Sequence, residues 1–153
     1  MAKEIERKFL VSGTGWKAAA ERSVSIHQCY LARTDSAAIR VRIVDDSKAY
    51  LTIKSAVAGS TRDEFEYDIP VEDARHLVTL RTGLLLEKRR YYAPLAGAMW
   101  EIDVFEGAHE GLVIAEIELT DADAAFEHPD WLGEEVTGVH RYYNAYLATH
   151  TDN

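Results

Sequence analysis

The sequence predicts a mainly β, α+β fold built on antiparallel strands, and three observations carry that prediction. Eight stretches between Lys3 and Leu119 alternate apolar and polar residues with the two-residue period of a strand. The breaks between several of them are short and rich in Gly, Pro, Asp and Ser, so those strands return as hairpins. Helical spacing is confined to a few short stretches. At 153 residues and 47% hydrophobic, the chain suits one compact domain spanning residues 1–153.

The first strand is Lys3 to Val11, with Glu4, Glu6 and Lys8 on one face and Ile5, Arg7 and Phe9 on the other. Ser12-Gly13-Thr14-Gly15 breaks it, and the alanine-rich stretch Trp16 to Arg22 suits a helical turn or two. Ser23 to Ala32 follows, with Gln28 and Tyr30 opposite His27, Cys29 and Leu31. Ala38 to Val44 sets Arg40 and Arg42 against Ile39, Val41 and Ile43. The turn Asp45-Asp46-Ser47 returns it as Ala49 to Ser55, where Thr52 and Lys54 oppose Leu51 and Ile53. After Ala58-Gly59-Ser60-Thr61, the strand from Arg62 to Ile69 sets Arg62, Glu64, Glu66 and Asp68 against Phe65, Tyr67 and Ile69.

Pro70 closes that strand, and the spacing of Ala74, Leu77, Val78 and Arg81 predicts an amphipathic helix over Val71 to Arg81, ending before Gly83. Leu84 to Ala93 is the next strand, with Lys88, Arg90 and Tyr92 on one side. Pro94-Leu95-Ala96-Gly97 turns it into Met99 to Glu106, where Glu101, Asp103 and Phe105 oppose Trp100, Ile102 and Val104. The last strand, Leu112 to Leu119, sets Glu116 and Glu118 against Val113, Ala115, Ile117 and Leu119. Thr120 or Asp121 caps an expected short helix through Phe126. A terminal helix is expected over Val139 to His150, its stripe formed by Tyr142, Tyr143, Tyr146 and Leu147, with Thr151 to Asn153 frayed.

A net charge of -9 argues against nucleic-acid duplexes and anionic membranes as partners, though it does not exclude a local basic cluster. The single cysteine, Cys29, excludes an internal disulfide and fits a small core residue in a reducing compartment. No apolar run approaches a membrane span, and the charged start is unlike an export signal, so a cytoplasmic protein is expected. The six histidines show no paired ligand spacing. A homodimer is left open.

Across the strands one face is consistently charged. It carries Glu4, Glu6 and Lys8; Arg40 and Arg42; Lys54; Arg62, Glu64 and Glu66; Lys88 and Arg90; Asp103; Glu116 and Glu118. An open sheet with a wet polar face accounts for this strand by strand. Two features favour an enclosed face instead: short hydroxyl residues are few on it, and the charges sort by strand. Acids mark the first and last strands and bases the third, fourth and sixth. If the sheet curls towards closure, that face becomes an interior whose charges need compensation. A polyphosphate with a hard divalent cation meets the demand, because arginine and lysine suit phosphate oxygens and carboxylates suit Mg²⁺ or Mn²⁺. No glycine-rich phosphate loop is present, so side chains must form the cradle.

Glu4-x-Glu6-x-Lys8 resembles the signature of the CYTH superfamily, the triphosphate tunnel metalloenzymes. Its companions follow in the family's order: Gln28-x-Tyr30-Leu31, Arg40-x-Arg42, Leu51-x-Ile53-Lys54, Arg62-x-Glu64-x-Glu66, Lys88-x-Arg90, Ile102-Asp103, Glu116-x-Glu118, Val136-Thr137-Gly138 and Tyr143-Asn144. The resemblance runs from about Lys3 to Leu147 and is closest to small bacterial inorganic triphosphatases.

It implies a closed eight-stranded antiparallel barrel, a tunnel that binds a triphosphate and needs Mg²⁺ or Mn²⁺. Lys8, Arg40, Arg42, Lys54, Lys88 and Arg90 are expected to grip phosphate, with Lys8 and Lys54 also serving catalysis. Glu4, Glu6, Asp103, Glu116 and Glu118 are expected to hold metal. Arg62, Glu64 and Glu66 either orient these groups, with Arg62 reaching the substrate, or pair with one another. Tyr30 either positions the attacking water or only bonds a carboxylate. The terminal helix resembles the family's plug over one mouth. The implied activity is hydrolysis of tripolyphosphate to diphosphate and phosphate. The alternatives are a nucleoside- or thiamine-triphosphate enzyme, including adenylate cyclase, and a triphosphate-binding module without turnover.

Overall fold

The computed structural model describes the backbone of residues 2–55, 61–121 and 123–150 and the side chains of residues 5–55, 63–121 and 123–150. The strands are β1 (Ala2–Val11), β2 (Arg22–Arg33), β3 (Ala37–Val44), β4 (Lys48–Ser55), β5 (Thr61–Ile69), β6 (Thr82–Leu95), β7 (Ala98–Glu106), β8 (Val113–Glu118) and β9 (Leu132–Glu135). All their pairings are antiparallel, in the order β5-β4-β3-β2-β6-β7-β8-β1-β9. The first residues of β1 also pair with β5, Glu4 opposite Arg62. The eight expected strands are present; β9, four residues long, is a ninth.

Each strand's alternation divides its residues between two faces. On the outer face, Phe9, Trp16, Trp100, Ile102, Ile117 and Trp131 form one cluster, covered by the 3₁₀ turn Gly15–Ala18 and the segment around Phe126. Trp100 packs edge-on against Phe9, Phe126 and Trp131. A second outer cluster joins Cys29, Val41, Ile43 and Ala49 to Ala74, Leu77 and Val78 of helix α1 (Val71–Val78). Cys29 is buried there, as expected, and burial pushes its thiol pKa up. The other face is charged towards one end and apolar towards the other, where Tyr30, Ala38, Leu86, Phe105 and Ile114 meet Leu147 and Ala148 of the chain's C-terminal part.

The hairpin at Asp45-Asp46 follows the sequence, with φ of 51° and 54° at the two turn residues. Asp45 reinforces it by accepting the Ser25 amide at 2.8 Å. The turn expected at Ala58-Gly59-Ser60-Thr61 lies outside the described residues except for the backbone of Thr61, and Thr151 to Asn153 lie outside them too.

The helices depart from expectation. α1 stops at Val78 rather than Arg81, because the amides of Thr79, Leu80 and Arg81 bond three residues back in a tightening turn. Among the described residues no helix runs from Thr120 to Phe126. Asp121 accepts the Asp123 amide in a local turn, and Phe126 packs into the first outer cluster. The expected terminal helix is a 3₁₀ turn (His140–Tyr142) followed by a single α turn, α2 (Asn144–Leu147). Tyr143 between them is extended, with φ -90° and ψ 145°. Its ring lies against the Lys8 ammonium, 4.7 Å from the ring centroid. No helix among the described residues is long and apolar enough to cross a membrane.

Candidate active site

A cavity of about 440 Å³ opens on the charged face, lined by residues of β1, β2, β3, β4, β5, β6, β7 and β8 and by the C-terminal segment. Antiparallel register brings its charges together. On β1 and β8, Lys8 stands opposite Glu116 and Glu6 opposite Glu118. On β2 and β3, Tyr30 is opposite Arg40 and Gln28 opposite Arg42; on β6 and β7, Arg90 is opposite Asp103.

Of the residues expected from the sequence, Glu6, Lys8, Tyr30, Arg40, Arg42, Lys54, Glu64, Arg90 and Glu116 line the cavity. Lys88 and Asp103 are buried at 0% and 2% exposure beside Arg90 and outside that lining. Glu66 and Glu118 are exposed and do not line it. The side chains of Glu4 and Arg62 lie outside the described residues; their backbones are neighbours across β1 and β5. Several cavity residues were given no role from the sequence, among them Arg33, Asp35, Glu101 and Asn144. Glu101 was legible, since it alternates with Asp103 and faces Glu116 across β7 and β8. Arg33 ends β2 beyond a bulge, where alternation no longer reports direction.

The ion pairs are dense. The Lys8 ammonium donates to Glu116 at 3.1 Å. Burial alone would lower the Lys8 pKa, but Glu116 and Glu6 outweigh it and hold it above the ordinary value. Burial would likewise raise Glu116, yet Lys8 holds it well below the usual range. Lys88 donates to Asp103 at 2.6 Å, and Arg90 clasps the same carboxylate at 2.7 and 2.9 Å. Both oxygens of Asp103 are thus engaged by cations. Arg90 also pairs with Glu101 at 3.2 Å. Against burial, Asp103 and Glu101 raise the Arg90 pKa well above its ordinary value. Lys88 goes the other way: burial first, then Arg90 and Arg42, push its pKa down to about 7 against the attraction of Asp103. Asn144 of α2 accepts a further bond from its ammonium at 3.3 Å.

The carboxylates fit a hard divalent cation. Glu6 and Glu116 both face the cavity, and a hydrogen bond from Glu6 helps hold the Glu116 carboxyl in its charged form, so β1 and β8 together present carboxylate oxygens to a cation there. Among the described residues no three His, Cys, Asp or Glu side chains are gathered into a protein-only metal site. Mg²⁺ needs none, because it commonly takes one or two carboxylates and fills the remaining positions with water and substrate phosphate.

The CYTH domain matches residues 2–148. An inorganic triphosphatase of Acetivibrio thermocellus is 47% identical over 148 residues, which is 96% of this chain and 94% of the relative. An inorganic triphosphatase of Nitrosomonas europaea is 39% identical over 149 residues, 95% of this chain and 96% of the relative. A crystal structure of an inorganic triphosphatase superposes with a TM-score of 0.71 at 37% identity, covering 98% of this chain and 97% of its own. With the domain matched over nearly its whole length and relatives so similar end to end, this chain belongs to the CYTH domain family.

Proposed function

We propose that the protein hydrolyses inorganic triphosphate to diphosphate and phosphate, with a divalent cation, inside a single-domain tunnel. The observation that carries the reading is the cavity's division into a basic wall, Arg40 and Arg42 on β3, and an acidic one, Glu6 and Glu116 on β1 and β8. The relatives that are inorganic triphosphatases support it. Closure into a tunnel is supported by the pairing of β1 with both β8 and β5, which links the two ends of the eight-strand series.

In this reading Arg40, Arg42, Lys54 and Arg90 hold the phosphate oxygens, with Arg62 joining them and Lys88 lending charge from behind. Lys8, clamped by Glu116, is placed to neutralise charge on the phosphoryl group as it passes to water. Tyr30, at the cavity wall opposite Arg40, orients the attacking water. That water's oxygen forms the new bond to the terminal phosphorus as the bond to the bridging oxygen breaks, diphosphate departs with the bridging oxygen, and the water's proton passes to a phosphate oxygen. Glu6 and Glu116 would hold Mg²⁺ or Mn²⁺ in the cavity, with Glu64 at its wall and Glu4, Glu66 and Glu118 further along β1, β5 and β8 in support. When bound, that ion supplies Lewis-acid stabilisation of charge on the phosphates.

The test is phosphate release from tripolyphosphate, ATP and thiamine triphosphate with Mg²⁺, Mn²⁺ or neither. Fastest turnover of tripolyphosphate, abolished without metal, is expected. Binding without turnover under every condition would refute an enzyme, and cyclic AMP formed from ATP faster than phosphate from tripolyphosphate would make it a cyclase.

A further inference from the structure

Arg40 and Arg42 line the cavity two residues apart on β3, yet among the described residues neither is ion-paired with a carboxylate. The other buried bases are paired: Lys8 with Glu116, and Lys88 and Arg90 with Asp103. Arg42 is held by a neutral group instead. Its Nε–H donates to Oε1 of Gln28 at 2.7 Å, across the register that sets these residues opposite each other on β2 and β3. Gln28 is fully buried, and its Nε2 has no hydrogen-bond partner. A buried donor left without an acceptor costs about 1–3 kcal/mol, a penalty that a methionine of similar size would not incur. Packing therefore gives no reason for glutamine here, whereas the bond to Arg42 does.

The neutrality of the acceptor matters as much as its position. A carboxylate would hold Arg42 more firmly but cancel its charge, while an amide oxygen takes the Nε–H and leaves both terminal nitrogens and the full charge to the cavity. Burial, with Arg40 and Arg90 nearby, lowers the Arg42 pKa to about 9 against the attraction of Asp103 and Glu101, neither of which is ion-paired with it. Arg40 also meets a neutral oxygen, on the other side of β3, but through a terminal nitrogen that donates to the hydroxyl of buried Thr52 at 3.4 Å, while its own Nε is buried without a partner among the described residues.

We propose that Gln28 is a positioning residue for the triphosphate site, aiming Arg42 through its Nε while leaving the guanidinium's charge to the substrate; this rests on the functional reading above. Calorimetric titration of the full-length protein with inorganic tripolyphosphate in metal-free buffer tests it. The proteins compared are wild type, Gln28→Met, Gln28→Glu, Arg42→Ala and the double variant Gln28→Met/Arg42→Ala, each checked by thermal melting. Gln28→Met should bind about ten-fold more weakly than wild type. In the Arg42→Ala background the same change should alter affinity by less than about two-fold, because its effect runs through Arg42. A role in packing alone would leave the effect the same in both backgrounds, and that result overturns the proposal. So does wild-type affinity in Gln28→Met. If Gln28→Met does not fold, Gln28→Glu decides: its carboxylate should cancel Arg42 and weaken binding at least as much, and affinity within about two-fold of wild type overturns the proposal. Wild type that binds no tripolyphosphate would remove the functional reading and this inference together; unaltered variants with a binding wild type would remove only the inference.

Discussion

Asp103→Asn should destabilise the fold by about 3 kcal/mol near pH 6, with a deficit that narrows as pH rises. The substitution keeps the side chain's shape and removes one charge from a triad whose members are 0% to 7% exposed. Removing one partner of a buried ion pair costs about 3–5 kcal/mol, because the charge left behind stays desolvated. Arg90 retains Glu101 at 3.2 Å, which places the expectation at the lower end. The pH dependence comes from Lys88, whose folded pKa of about 7 lies below its ordinary value even with Asp103 present. Without the carboxylate it falls further. Below about pH 7 the wild type holds an ammonium that Asp103 compensates, while the variant must hold it uncompensated or expel its proton. Towards pH 9 the amine is neutral in both folded proteins, so this part of the deficit disappears and only the loss felt by Arg90 is left. Urea unfolding followed by tryptophan fluorescence measures it, since Trp16, Trp100 and Trp131 share one core cluster and report its loss together. A deficit below about 1 kcal/mol at pH 6, the size of a surface pair, or one that widens towards pH 9, would refute the reasoning.

Other outcomes follow from the same geometry. Glu6→Gln should cut Mg²⁺-dependent phosphate release by more than about 100-fold with an unchanged melting temperature, beyond what a metal's outer partners provide; unchanged release at saturating Mg²⁺ would remove Glu6 from the metal site. Arg40→Ala should weaken tripolyphosphate binding by about 1.5–3 kcal/mol, the range for a charged hydrogen bond, read as a rise in apparent dissociation constant. Gly83→Ala should destabilise the protein by more than about 1 kcal/mol in chemical unfolding, because Gly83 has φ +72° and an added Cβ would clash with the Ala148 carbonyl oxygen. Trp100→Ala, at a fully buried site, should cost about 3–5 kcal/mol in the same measurement.

Strand alternation read the charged face well because a two-residue period is geometric: once Arg40 points inward, Arg42 must too. It read less well where geometry is not local. Leu86, Phe105 and Ile114 share the charged face by alternation, yet they make its far end apolar, since Leu147 and Ala148 pack there from the other end of the sequence. Nothing in the strands themselves announces that cover. The terminal stripe of Tyr142, Tyr143, Tyr146 and Leu147 has helical spacing, but Tyr143 is extended, with its ring against the Lys8 ammonium and its hydroxyl accepting the Gly138 amide, contacts visible only when both segments are in place. Asp103 shows the same limit in chemistry. Its position was legible, but not that Lys88 and Arg90 occupy both its oxygens, because that depends on rotamers across β6 and β7.

The cavity's own charges explain how a chain with net charge -9 can suit a polyanion. Lys8, Arg33, Arg40, Arg42, Lys54 and Arg90 line it together with Glu6, Asp35, Glu64, Glu101 and Glu116, so the lining is close to balanced in sum. Sum is the wrong measure, because position decides. Arg40 and Arg42 meet neutral oxygens of Thr52 and Gln28, while Glu6 and Glu116 face the same space within reach of each other. A bare anion would satisfy the arginines and be repelled by the glutamates, and a bare cation would do the reverse. A ligand with both signs in fixed order, phosphate towards β3 and divalent cation towards β1 and β8, relieves both walls at once. The two walls are thus matched most fully by a metal-bound triphosphate, while Arg40 and Arg42, which have no carboxylate partner among the described residues, leave the basic wall able to take the anion alone.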